Sequence, residues 1–244
     1  MIQQEMEMSK RYSITTVRTD TKKEIAELTR RNVALIESMI RHNSDYSNSS
    51  NAKNDKSSAY WLKELKKEVV DNQKSKFPYR KIIENCVQYI DSENSTRLNA
   101  DGVGRKQMSE RLAKLDKAKL VEYLRHPEKE NYKLIEILTE KTEPEDSRHN
   151  GRKNFSFATK FCHYACFYLF EGLREQDNFS IYDSIVAKHL LDYAKYFNTE
   201  IKKGYKSNNY KAYITIIDDI LAKAEEKISR NGFDHLLWYF HKAR

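Results

Sequence analysis

The residue best placed to do chemistry in this 244-residue sequence is an aspartate that opens a helix after an aromatic-rich, apolar stretch. The stretch is NFSFATKFCHYACFYLF, from Asn154 to Phe170. The aspartate is Asp183, in NFSIYDSIVAKHLLDYAKYF from Asn178 to Phe197. At a helix N-terminus the unpaired N–H groups and the helix dipole favour a carboxylate, and an ordinary N-cap is the plain structural reading. Other reactive types are poorly arranged. The three cysteines, Cys86, Cys162 and Cys166, form no CxxC pair, so neither a disulfide framework nor a zinc site is expected, and no metal or cofactor is expected. Cys162 and Cys166 lie one helical turn apart among aromatics and read as small core residues. Gly102-Val103-Gly104-Arg105-Lys106 lacks the Gly-Lys-Ser/Thr ending of a phosphate-binding loop and reads as a helix-start turn.

These residues need helices to hold them. Only 6 Gly and 3 Pro occur, too few turn formers for a many-stranded barrel or sandwich, so the expected class is all-α. Apolar spacing predicts a helix over 21–42 with Thr19 or Thr21 as its cap, then helices over 59–73 and 78–91, the latter opened by Pro78. Helical spacing over 105–126 breaks where Asp116 can cap a second segment, and Pro127 stops it. Further helices are expected over 130–141, 154–174, 183–197, 208–227 and 232–242, the one over 154–174 buried on all sides. Residues 44–58, rich in Ser, Asn, Asp and Lys, read as a mobile loop. The organisation expected is an N-terminal helical subdomain over 1–145 and a second over 146–244, together one compact unit.

No apolar run approaches the roughly 18 residues that cross a bilayer, and the N-terminus has no secretory pattern, so no membrane association and a cytoplasmic location are expected. The net charge of +8 is uneven: 18 basic against 14 acidic residues in 1–100, 17 of each in 101–200, and 9 against 5 in 201–244. Basic flanks around a neutral middle suit a polyanion gripped at the edges of a cleft, and equally suit solvated helix faces.

The segment Ile181 to Leu190, IYDSIVAKHL, resembles the Val-Asp-Thr-His segment of helix-hairpin-helix DNA glycosylases, which carries their catalytic aspartate. SFATKF (156–161), IYDS (181–184) and FDHLLWYFHK (233–242) are similar to a bacterial branch with the fold of 8-oxoguanine DNA glycosylase. The resemblance covers about 150–244. It implies a two-lobed helical bundle of the helix-hairpin-helix glycosylase type, 146–244 as the catalytic subdomain, and double-stranded DNA with a modified base as partner. Asp183 would then stabilise the oxocarbenium character that develops on the sugar, or orient an attacking nucleophile. The excised base must leave the stack, and His163, Phe179, Tyr182, Trp238 and Tyr239 are the candidate pocket residues, although each also suits core packing.

In this resemblance Asn150, Gly151, Arg152 and Lys153 occupy the place of the DNA-contacting hairpin, with Ser156 just beyond. Gly102 to Lys106 looks more like the family's hairpin by residue type, but Asp183 lies 77 residues past Lys106, whereas the family separation is near twenty. Ser156 falls near the position where many family members have a nucleophilic lysine, and Lys160 lies one turn further on. Lys160 is therefore a candidate nucleophile if desolvation activates its amine, with a phosphate or pocket contact or a structural ion pair as the alternatives. Without it, Asp183 would direct water. A sharp form of the glycosylase expectation is excision of a glucosylated cytosine from phage DNA by a defence enzyme. The rivals are a non-catalytic nucleic-acid-binding module and a helical protein-interaction domain; no obligate protein partner is evident.

Overall fold

Among the described residues a short hairpin precedes the first helix. The computed structural model describes residues 14–20, 22–42, 55–98, 102–142, 154–202, 204–205 and 209–242. Strand β1 (Thr16–Arg18) pairs antiparallel with β2 (Glu24–Ala26), with Thr16 opposite Ala26 and Val17 opposite Ile25. Their turn is closed by Thr19 N–H to the Lys23 carbonyl (2.8 Å) and Lys22 N–H to the Thr19 carbonyl (2.8 Å), with Lys22 at φ 60°. The helix expected over 21–42 therefore begins only at Arg30, as α1 (Arg30–His42). Thr29, not Thr19, holds its start, Thr21 lying outside the described residues: the Thr29 hydroxyl accepts from Asn32 N–H at 3.4 Å and its carbonyl from Val33 N–H at 2.9 Å. Ile25 and Leu28 keep the burial that helical spacing foresaw, but Ile25 gets it in a strand, beside the equally buried Ala26. Asn32, wholly buried, fixes the junction. Its amide donates to the Thr15 and Glu27 carbonyls, both at 2.8 Å, and its oxygen accepts from Thr15 N–H at 3.0 Å.

The rest of the described residues is mostly helical, with ten α-helices and no sheet beyond this hairpin. After α1 come α2 (Ser58–Val69), α3 (Tyr79–Asn94), α4 (Gly104–Ala113), α5 (Lys117–Arg125) and α6 (Lys133–Thr139). Then follow α7 (Phe155–Leu169), α8 (Ser184–Tyr196), α9 (Tyr210–Lys223) and α10 (Arg230–His241), with a short 3-10 turn at Arg174–Asp177. Several ends follow directly from side chains. Asp116 caps α5 by accepting from Ala118 and Lys119 N–H (2.9 and 3.2 Å), Ser57 accepts from Tyr60 N–H at α2, and Ser229 from Gly232 N–H at α10. Pro78 precedes α3 at φ −60°, ψ 140°, just outside the helix and not within its first turn. Of the loop expected over 44–58, only 55–58 are described, and there Ser57 and Ser58 belong to the start of α2; 44–54 lie outside the described residues.

The chain divides into two compact units. One comprises 44–181 and is centred on α7, which packs against α2, α3, α5 and α6. Twelve of the fifteen residues of α7 are buried, as expected of a helix that is apolar all round. The other unit joins 1–43 to 182–244, and within it α10 packs against α1, α8, α9 and β2. The division thus falls at 43/44 and 181/182, where the sequence had suggested a single cut after 145.

Tyr193 ties the hairpin to α8. Its ring is fully buried against Phe233, and its hydroxyl oxygen accepts the Ala26 N–H at 3.0 Å. Tyr193→Phe removes the only oxygen shown to take that buried N–H, which should cost about 1–3 kcal/mol in urea unfolding of the full chain. Unchanged stability would mean that the hairpin does not depend on this contact.

Candidate active site

Asp183 occupies the N-cap of α8. Its backbone is extended (φ −133°, ψ −170°), and its Oδ1 accepts from Ile185 N–H at 2.9 Å and Val186 N–H at 3.1 Å. The carboxylate is half-buried. A short, polar side chain followed by Ser-Ile-Val makes this geometry local: the chain turns from extended to helical at Asp183, and the carboxylate satisfies two N–H groups that no earlier carbonyl can reach.

The path leading to Asp183 is held by side chains of the α7 unit. Asn178 donates to the Leu124 and Arg125 carbonyls (2.8 and 3.0 Å), fastening the end of the 3-10 turn to the last residues of α5. The next three residues, Phe179, Ser180 and Ile181, are buried. The Phe179 carbonyl lies 2.9 Å from Nδ1 of His163, and its ring packs edge-on to Tyr132. The chain then leaves the α7 unit between Ile181 and Tyr182, one residue before the cap. Tyr182 is half-buried, with its ring edge-on to Tyr213 at 5.1 Å and Tyr213 in turn against Tyr210 at 5.6 Å. Burial, reinforced by the neighbouring Tyr205, pushes the Tyr182 phenol above its ordinary ionisation range.

The other candidates fall into separate environments. Within the α7 unit, Lys160 and His163 share α7, and His163 meets Phe179. Both His163 and Phe179 are wholly buried, and as placed they pack the core. Lys160 is 9% exposed, and its Nζ donates to the Asn94 carbonyl at 3.1 Å, at the C-terminal end of α3. Tyr164, one turn on, donates to the Asn94 side-chain oxygen at 2.9 Å. A cation on the last carbonyls of a helix complements its dipole, so this contact gives Lys160 a structural task. Ser156 is half-buried near the start of α7, and its carbonyl accepts from the Thr159 hydroxyl.

Within the other unit, Trp238 and Tyr239 are half-buried on α10, with Lys242 Nζ 3.7 Å from the Trp238 ring centroid and Tyr239 beside His235. Asn150, Gly151, Arg152 and Lys153 lie outside the described residues.

At the competing turn, Gly102 adopts φ +82°, a left-handed conformation that favours glycine, and Gly104 opens α4. Arg105 is engaged there: its Nε donates to the buried Asp91 at 2.7 Å. Asp91 also accepts from Leu98 N–H at 2.8 Å and from the Thr96 hydroxyl. Burial alone would raise the Asp91 pKa, but these donors and the guanidinium charge together hold it below the usual carboxylate range. Lys106 is exposed.

Cys86, Cys162 and Cys166 are wholly buried, and enclosure pushes each thiol well up, away from reactivity. Among the described residues no cluster of three or more His, Cys, Asp or Glu could hold a metal ion, and no helix is long and apolar enough to cross a membrane.

Sequence reasoning did not single out Asn94, Tyr164, Asn178 or Tyr213. Each acts on a partner far along the chain, as Lys160 does across 66 residues to Asn94, and nothing in their local spacing marks them. No family model matches the chain, and no curated protein or solved structure matches it either.

The Lys160 contact is testable by itself. Lys160→Met keeps the length and apolar stem but removes the donor to Asn94, and should lower the unfolding free energy by about 1–3 kcal/mol in urea. An unchanged midpoint would show that the amine holds nothing together and is available for other work.

Proposed function

We propose that this protein is a DNA glycosylase of the helix-hairpin-helix type, in which Asp183 serves the cleavage of an N-glycosidic bond to a modified base flipped out of duplex DNA. The observation that carries the reading is the fixed, half-buried Asp183 carboxylate at the N-cap of α8, reached through the buried run from Phe179 to Ile181. The resemblance of IYDS and SFATKF to that family gives the cap a chemical meaning it would not have alone. As the bond between the base and C1′ lengthens, positive charge grows on the sugar. A carboxylate oriented by two backbone N–H groups needs no reorganisation to oppose that charge.

The Lys160 contact with Asn94 favours direct attack by water on C1′ over a Schiff-base route. In that reaction the base leaves with the bonding electrons, water supplies the new C–O bond, and the water proton passes to a carboxylate or to solvent. Tyr182, adjacent to Asp183 and backed edge-on by Tyr213, is the pocket candidate that the geometry supports best. A bulky substrate, such as a glucosylated cytosine in phage DNA excised by a defence enzyme, is the sharper form of this proposal. The second reading, a nucleic-acid-binding module without catalysis, is favoured by the burial of His163 and Phe179 in core positions.

The deciding experiment incubates the protein with duplex DNAs carrying different modified bases and measures released base by mass spectrometry. Asparagine is as good an N-cap as aspartate, so Asp183→Asn keeps the helix start and removes only the charge. It should lower base release by about 100-fold or more while leaving DNA affinity intact. Full activity of Asp183→Asn would overturn the assignment of the site, and no release from any duplex by the wild type would leave the binding module. Affinity for duplex DNA should fall steeply with added salt, as counterion release requires, and salt-insensitive binding would count against a nucleic-acid partner altogether.

A further inference from the structure

We infer that His189 and His241 form an acid-sensitive latch that fastens the N-terminal hairpin to helices α8 and α10. The two imidazole rings lie face to face, with centroids 3.6 Å apart and planes inclined by 11°. His241 is buried, and its Nε2 lies 3.3 Å from the hydroxyl of Tyr193, the same hydroxyl whose oxygen accepts the Ala26 N–H at 3.0 Å. A continuous line of contacts therefore runs from the hairpin backbone through Tyr193 to His241 and on to His189. Its three side chains come from two helices, and the fourth group is a strand amide.

The stack tolerates two neutral rings, or one charged ring over one neutral ring. Two imidazolium ions at this separation repel. The charged groups acting on His189 are Lys188 and Asp192 of α8 and Lys23 of the hairpin. Asp192 is the sole anion among them, and both of its oxygens already accept from Lys23, at 3.0 and 3.1 Å. On the elements packed nearby, β2 brings Glu24, which accepts from Thr16, and α1 brings Arg30, Arg31 and Glu37. On α9, Lys211 is accompanied by Asp218, paired with Arg230, and Asp219, paired with Lys223.

Burial first, and then the Lys188 and Lys23 charges, depress the His189 pKa below its ordinary 6.5, with Asp192 acting in the opposite direction. The folded protein therefore binds fewer protons than the unfolded chain just below that value. Stability is full above pH 6.5 and is lost as the pH falls through the depressed folded value. The carboxylates held low by their partners, such as Asp91, Glu64 and Glu68, remain ionised through the upper part of this interval, which leaves it to the histidines.

The test is thermal unfolding of the full chain between pH 7.5 and 5.0, wild type beside His189→Gln, with amide exchange at Ala26 followed in parallel. The wild type should lose several degrees of Tm over this range, and His189→Gln, which cannot acquire the second charge, should lose clearly less. Ala26 exchange, corrected for its intrinsic pH dependence, should accelerate in acid in the wild type. An equal loss in both proteins would assign the sensitivity to the other buried imidazoles, His163 and His235, and would overturn the latch, as would no loss at all. Should His189→Gln fail to fold, imidazole proton NMR of the wild type decides. A His189 midpoint below 6.5, with a second ring titrating apart from it, supports the latch. Two rings titrating together and independently near 6.5 remove it.

Discussion

A helix with no polar face has to be enclosed, and the α7 unit is arranged around that requirement. Twelve of the fifteen α7 residues are withdrawn from water, including Phe155, Phe157, Phe161, Tyr168 and Leu169, so helices must cover it from several directions, as α2, α3, α5 and α6 do. Each large side chain fully buried in this way contributes roughly 1.5–3 kcal/mol of transfer free energy. The same enclosure makes the polar residues of α7 demanding. Lys160 and His163 are taken from water and must find acceptors inside, and they find the carbonyls of Asn94 and Phe179. These two contacts fasten the end of α3 and the segment at Phe179 within the α7 unit, so the central helix fixes its neighbours through its polar minority.

Local chemistry made part of this legible in the sequence. The caps at Asp116 and Asp183, the break between α4 and α5, and the burial of α7 are properties of a few neighbouring residues, and spacing and side-chain type suffice to find them. The hairpin was not legible, because Ile25 and Leu28 fit a helical stripe as well as a strand and its approach. The decision was made by Thr15, Thr16 and Asn32, whose bonds span up to 17 residues. Lys160 and His163 were visible as residue types able to do chemistry, but their acceptors are main-chain carbonyls 66 and 16 positions away, and a carbonyl has no signature in the sequence. The stacking of His189 on His241 was hidden because the two rings come from different helices far apart in the chain.

The excess of basic residues also changes character once side chains are placed. Lys67, Lys119, Lys133 and Lys223 each pair with a carboxylate three or four positions away, and Lys117 reaches Glu68 on another helix. Exposed pairs of this kind contribute little to stability, but they cancel part of the field that the bare count suggests. Lys106 and Lys188 are exposed.

The division of the chain has a consequence for biogenesis. The α7 unit is one uninterrupted stretch, 44–181, whereas the other combines 1–43 with 182–244. During synthesis the hairpin and α1 emerge before the α7 unit, yet the helices they contact, α8 and α10, emerge after it. The contiguous unit can condense on the ribosome as soon as α7 is out. The hairpin and α1 must wait with their apolar side chains uncovered while residues 44–181 are made, and the loop closed when they dock is the whole intervening unit. Folding from the contiguous unit outward makes the hairpin and α1 a natural client for chaperones, and it makes α10 the element whose arrival covers them.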